Sequence, residues 1–148
     1  MMRGLSDLSV LKKMGAATLF LLMVTTSSLR SNAVESDLIK IRATCYVEHG
    51  ITYSGHYTHE GILAGRKEDI GDVAAIYAVA EDGSVGDFIG YFEFEDCGAG
   101  FDTDGDGKGD STIKGKTVDI YRDNLSRAKA WIKTYGDYVY IKRIEAEG

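Results

Sequence analysis

A mainly β domain with one helix is the fold class this sequence predicts. Two observations carry it. Several short runs of β-branched and aromatic residues partly alternate with polar ones, the period of a half-buried strand, and a single stretch switches to helical spacing. With 148 residues the chain has room for one ordinary domain, and neither an internal repeat nor an interdomain linker is visible.

The elements follow in order. Ile39 to Val47 contains β-formers with partial alternation and reads as the first strand. Tyr53 to Ile70 is rich in glycine, histidine and charge, which predicts a long loop or a broken strand. Val73 to Val79 is a further strand. Phe88 to Phe94 is another, alternating aromatic and polar residues around Gly90, and the turn signal Asp82-Gly83 can join the two as a hairpin. Val118-Asp119-Ile120-Tyr121 is strand-like as well. From Asp123 to Tyr135 the period changes: Asp123 or Asn124 caps a helix, Leu125, Ala128 and Ile132 form its apolar stripe with Trp131 beside it, and Gly136 stops it. Tyr138 to Ile144 alternates again as the last strand.

The first 33 residues have another character. Lys12 and Lys13 precede the apolar run Met14 to Val24, and a small polar segment ends in Ser31-Asn32-Ala33, the order of a secretory signal cleaved after Ala33. The run is shorter than the roughly 20 residues that span a bilayer. An uncleaved N-terminal anchor is the alternative and would be the domain's only link to a membrane; either reading places residues 34–148 outside the cytosol. That domain is expected to be a monomer. It holds 13 basic and 22 acidic side chains, a formal charge of −9 where the whole chain has −6. So acidic a surface repels phosphate backbones and anionic lipid, which argues against nucleic acid as a partner and leaves a largely neutral glycan compatible. The size suffices for a core without disulfide staples. Cys45 and Cys97 nevertheless persist in the exported part, either bridged or as two buried free thiols.

The stretch from Glu95 to Tyr121 concentrates the chemistry. Asp96 and Asp119 each lie at the polar end of an apolar run, and Gly98, Gly100 and Gly115 supply backbone that a sugar chain or second strand can approach closely. An aspartate beside glycine is commonly a turn residue. Asp119 is different: it lies between Val118 and Ile120, so in a strand it projects to the face opposite two apolar neighbours.

The wording of this stretch resembles the three-aspartate (3D) domain of bacterial peptidoglycan-cleaving proteins, whose pattern is D-[TV]-G-G, a short gap, I-K-G and then [IF]-D-[ILV]-Y. Asp96-Cys97-Gly98 resembles the first part, and Ile113-Lys114-Gly115 with Val118-Asp119-Ile120-Tyr121 the second. Upstream, Arg42-Ala43-Thr44-Cys45-Tyr46 looks like the family's opening A-T-x-Y strand and Gly50-Ile51-Thr52-Tyr53-Ser54-Gly55 like its T-x-[ST]-G turn. Downstream, Ala128-Lys129-Ala130-Trp131 and Tyr138-Val139-Tyr140-Ile141 look like its closing helix and last strand. Four weak pieces in the right order are more specific than any one. The chain departs from the pattern at Ala99, at Cys97, and at Ala78-Val79-Ala80-Glu81-Asp82-Gly83, where the family has A-V-D-P.

The resemblance implies a six-stranded double-psi β-barrel and a lytic transglycosylase acting on peptidoglycan glycan strands, with no cofactor required. In such enzymes the 6-hydroxyl of N-acetylmuramic acid is the internal nucleophile, so one aspartate serves as acid and then as base. That role falls to Asp119, with Asp96 raising its pKa by like-charge repulsion. Lys114 is then expected to bind a sugar hydroxyl or moderate local charge, and Thr44, Tyr46, Thr52 and Ser54 to bond N-acetyl and hydroxyl groups.

Two further groups invite a metal reading. Asp102, Asp104, Asp106 and Asp110 fall at positions 1, 3, 5 and 9 of a calcium-type loop with Gly107 at 6, but Ile113 stands where the bidentate glutamate belongs. A structural calcium and a solvated acidic turn are both open. His49, His56 and His59 fit no standard zinc spacing and lack a partner carboxylate at motif distance, so a solvated loop is expected there. Besides the transglycosylase, the sequence therefore admits a non-catalytic cell-wall-binding module and a calcium-stabilised extracellular interaction domain.

Overall fold

The computed structural model describes residues 38–147, and among these described residues six strands and one α-helix form the regular structure. The strands are β1 (Ile39–Tyr46), β2 (Ile62–Gly65), β3 (Val73–Val79), β4 (Val85–Cys97), β5 (Thr117–Tyr121) and β6 (Tyr138–Ile144). The helix, α1, is Leu125–Tyr135, and a short 3-10 turn covers Lys67–Asp69. The leader read in residues 1–33 lies outside the described residues.

The strands close into a ring in the order β1-β5-β2-β4-β3-β6, with β6 returning to β1. Two pairs are parallel, β1 with β5 and β2 with β4; the other four are antiparallel. The inner face carries the apolar half of each alternation: Ile41, Ala43, Leu63, Ile76, Phe94, Val118, Ile120, Val139 and Ile141 are all buried. Burial of those of valine size or larger stabilises by about 1.5–3 kcal/mol each.

The hairpin expected at Asp82-Gly83 joins β3 to β4. Ala80 N–H donates to the Ser84 carbonyl at 2.9 Å, Asp82 Oδ1 accepts from Ser84 N–H at 3.0 Å, and Gly83 takes φ +85°. β2 is a short strand within the Tyr53–Ile70 segment, which fits the broken-strand alternative to a long loop. All four of its residues are buried because it runs between β5 and β4 in the ring, so it has no polar alternation to betray it.

The helix forms where expected, capped by Asn124, whose side chain accepts from Arg127 N–H at 3.0 Å, and stopped at Gly136. Its buried face differs from the expected stripe. Ala128 and Trp131 are buried and Tyr135 packs against the core, whereas Leu125 and Ile132 are exposed. Trp131 fixes this rotation by packing edge-on against Phe92 under the Arg122 guanidinium.

The two cysteines are free. Cys45 on β1 and Cys97 on β4 lie on strands three steps apart either way round the ring, with β5 and β2 between them on one side.

Candidate functional site

Register places the two sequence-marked aspartates in one line. Thr44 pairs with Asp119 across β1/β5, Asp119 with Ala64 across β5/β2, and Ala64 with Asp96 across β2/β4. Thr44, Asp119, Ala64 and Asp96 thus form a row over four adjacent strands on the face opposite the core. Ala64, having only a methyl group, leaves the space between the aspartates open.

A bulge sets that row. Leu63 pairs with Phe94 and Ala64 with Asp96, so Glu95 is the extra residue of β4. Without it Glu95 would stand opposite Ala64; bulges re-aim side chains in this way.

Two depressions meet at Asp119 and Gly100. One, about 330 Å³, is lined by Tyr46, Glu48, Ala64, Asp96 and Gly98; the other, about 540 Å³, by Arg42, Thr44 and Phe101. Asp119 therefore lies where the two depressions adjoin. The backbone at Gly100 has φ +71°, and a Cβ there would collide with the Ser111 and Thr112 hydroxyls, so the groove's floor requires glycine.

Asp119 keeps one carboxyl oxygen, Oδ2, free of hydrogen bonds. Thr44 donates to Oδ1 at 2.8 Å, and no further described hydrogen bond reaches the group. Its pKa is raised, first by burial and then by the charges of Glu48 and Asp96, against the opposing Thr44 bond. Burial is thus the main cause, where the sequence reading assigned the shift to Asp96.

Asp96 is fully engaged. Oδ1 accepts from Tyr53 N–H at 3.1 Å and Cys97 N–H at 2.9 Å, and Tyr46 Oη donates to Oδ2 at 3.4 Å. Burial and the Asp96 charge push the Tyr46 phenol up, so it remains a donor. Cys45, on the core side of β1, has its thiol pushed up to about 11 by burial and then Asp119, an inert thiol.

The other sequence-marked residues divide. Tyr46 and Gly98 line the groove, and Thr44 reaches it beside Asp119. Thr52 and Ser54 are occupied within their own loop: their hydroxyls bond each other at 2.9 Å, and Thr52 Oγ1 donates to the His56 carbonyl at 3.1 Å. Lys114 lies in the acidic loop, its ammonium on Asp110, on Asp104 at 2.8 Å and on Thr103 at 3.3 Å. Asp102, Asp104 and Asp106 come within reach of one cation, whereas Asp110 is held by Lys114 and Thr103. Lys114 thereby supplies part of the positive charge a calcium ion would bring.

Arg42, Glu48 and Phe101 are groove residues the sequence reading missed. The guanidinium of Arg42 stacks over the Phe101 ring at 4.8 Å, a contact across 59 residues with no local signal. His49, read with the loop histidines, bonds the buried Tyr121 hydroxyl at 2.9 Å instead. No family model, curated protein or solved structure matches the chain.

Proposed function

We propose that the protein is an exported lytic transglycosylase that cleaves the N-acetylmuramic acid–N-acetylglucosamine bond of peptidoglycan. The observation that carries this reading is a half-buried carboxyl with raised pKa and one oxygen free of hydrogen bonds, Asp119, where two open depressions adjoin. Most glycosidases need a second carboxylate as nucleophile or base. Here the neighbouring Asp96 has both oxygens tied to Tyr46, Tyr53 and Cys97, which suits a stabilising anion better than a reacting one.

In this mechanism the protonated Asp119 gives its proton to the bridging oxygen as the bond from the muramic C1 breaks. The resulting carboxylate takes the proton of the 6-hydroxyl as that oxygen closes onto C1. The products are a free 4-hydroxyl on the glucosamine side and a 1,6-anhydro ring, with Asp119 reprotonated and no water consumed. Tyr46 and Thr44 flank the reacting position, and Arg42 with Phe101 offers a donor and a ring face for the next sugar.

The same reading takes the ring as a double-psi barrel, a proposal supported by its two parallel pairs, β1/β5 and β2/β4. A non-catalytic glycan-binding module is the second reading. It is favoured by three aromatic rings in contact on the β3–β4 hairpin: Tyr77 to Phe88 at 5.2 Å and Phe88 to Tyr91 at 5.0 Å, the last two exposed. Incubating the protein with purified peptidoglycan separates the two. Anhydro-muropeptides released by the parent and absent with Asp119→Asn support the enzyme; sedimentation with the wall without release supports the module.

A further inference from the structure

Glu95, the bulge residue of β4, is buried, with 6 % of its surface exposed, and its Oε2 has no hydrogen-bond partner among the described residues. A carboxylate so placed is costly unless a cation stands beside it. His59 supplies one. Its Nδ1 lies 2.9 Å from the Glu60 carbonyl and its Nε2 3.3 Å from Glu95 Oε1. A carbonyl only accepts, as does an ionised carboxylate, so both ring nitrogens carry hydrogen and the ring is an imidazolium.

The charged groups around this ring are Glu95 and Glu93 on β4 and His56 in its own loop; the Glu60 carboxylate is turned instead to Arg122 and Arg127. The bond to the Glu60 carbonyl first, then the bond and charge of Glu95 and the charge of Glu93, raise the pKa of His59 against the opposing effect of burial. His56 Nδ1 reaches the same Glu95 Oε1 at 3.4 Å, but Ser54 Oγ at 3.4 Å can donate to it, so a neutral ring fits there. His59 has no such alternative. If its Nδ1–H stays on the Glu60 carbonyl, the proton lost to solvent is the one on Nε2, and a lone pair then faces Glu95 Oε1. Attraction becomes repulsion.

We propose that His59 is a pH-operated fastening: charged, it holds the 50–59 loop to β4 through Glu95, and neutral, it frees that end of the loop and lets the groove wall move. The hydrogen bonds of the loop link the two. Thr58, next to His59, donates its N–H to the Gly50 carbonyl at 2.8 Å, its hydroxyl accepts from Gly50 N–H at 3.2 Å, and Ile51 pairs with Tyr57. Gly50, Ile51 and Thr58 line the depression that holds Asp96 and Asp119. The tip of the loop is tied separately, by Ser54 N–H on the Glu95 carbonyl at 2.9 Å and Tyr53 N–H on Asp96 Oδ1 at 3.1 Å, so release at His59 loosens the loop without detaching it. Because the folded pKa of His59 lies above its unfolded value of about 6.5, the fastening is complete below that pH and is lost as pH rises through the folded pKa. It acts whatever the groove binds or cleaves.

An NMR pH titration of the protein tests this by following the His59 ring together with the exchange protection of the Ser54 amide, which bonds to β4 away from the ring. His59 is expected to titrate above about 6.5. Ser54 protection is expected to fall about two- to fivefold through the same midpoint, the range that a half-exposed ion pair provides. Glu95→Gln is expected to lower the His59 midpoint, and His56→Gln to leave it in place. His59→Gln changes a half-exposed side chain, keeps the fold, and is expected to give Ser54 protection that no longer follows pH. A His59 midpoint at or below about 6.5, or Ser54 protection that is the same on both sides of it, overturns the proposal.

Discussion

Thr44 donates its hydroxyl to Oδ1 of Asp119 at 2.8 Å across the parallel β1/β5 pair. The bond favours the ionised carboxyl and so opposes the burial that raises the pKa of Asp119. Thr44→Val preserves shape and removes the donor. The pKa of Asp119 is expected to rise further, moving the high-pH loss of activity to higher pH, for a stability cost of about 1 kcal/mol. A pH–rate profile of glycan release checks it; an unmoved high-pH limb contradicts it.

Asp119 itself costs stability at neutral pH. A carboxyl whose folded pKa lies above its unfolded value favours the folded state fully below the unfolded pKa, and loses that contribution as pH rises through the folded pKa. Asp119→Asn is therefore expected to be more stable than the parent at neutral pH, with the gap closing in acid. Glycan release is expected to fall by about 10²–10⁴-fold. Urea unfolding at two pH values measures the gap.

Gly100 and Gly98 are expected to respond differently to alanine. At Gly100 the methyl group meets the Ser111 and Thr112 hydroxyls in a left-handed backbone, and Ser111 Oγ is the acceptor for Phe101 N–H at 3.0 Å. A loss of about 2–4 kcal/mol is expected from strain and overpacking together. Nothing lies within 4 Å of a Cβ at Gly98, so Gly98→Ala is expected to fold as the parent does. Denaturant midpoints of the two variants give the comparison.

The acidic loop is expected to hold together without calcium because Lys114 supplies its counter-charge. Hydrogen bonds to Asp104 and Asp110 raise the Lys114 pKa, and the bond from Lys114 lowers that of Asp110. A chelator is expected to leave the melting temperature of the parent unchanged. Calcium is expected to raise the melting temperature of Lys114→Met more than that of the parent, because the substitution frees Asp104 and Asp110. Thermal scans of both proteins, with and without calcium, provide the readout.

Local pattern made some of this architecture readable and three-dimensional pairing hid the rest. Asp119 stood out because Val118 and Ile120 fix its face by alternation, and β3 and β6 have the limits their apolar runs suggest. The limits of β2 within the segment read as a long loop or a broken strand were hidden because a strand enclosed by neighbours has no polar period. The helix was placed correctly but its buried side was not, since Trp131 outweighs Leu125 and Ile132 in the choice of face. Lys114 adjoins the groove motif in sequence, yet its ammonium is drawn to the nearer aspartates. Glu95 joins His56 and His59 only through the bulge and a separation of 36 residues from His59, which no spacing rule anticipates.

The most direct measurement of the central claim is digestion of peptidoglycan in ¹⁸O-water, with mass analysis of the released fragments. The single-acid mechanism at Asp119 requires 1,6-anhydro ends without ¹⁸O, formed by the parent and lost in Asp119→Asn. Reducing ends carrying ¹⁸O would mean that water attacks C1 and a second carboxylate, with the exposed Glu48 of the same depression the candidate, completes a hydrolase.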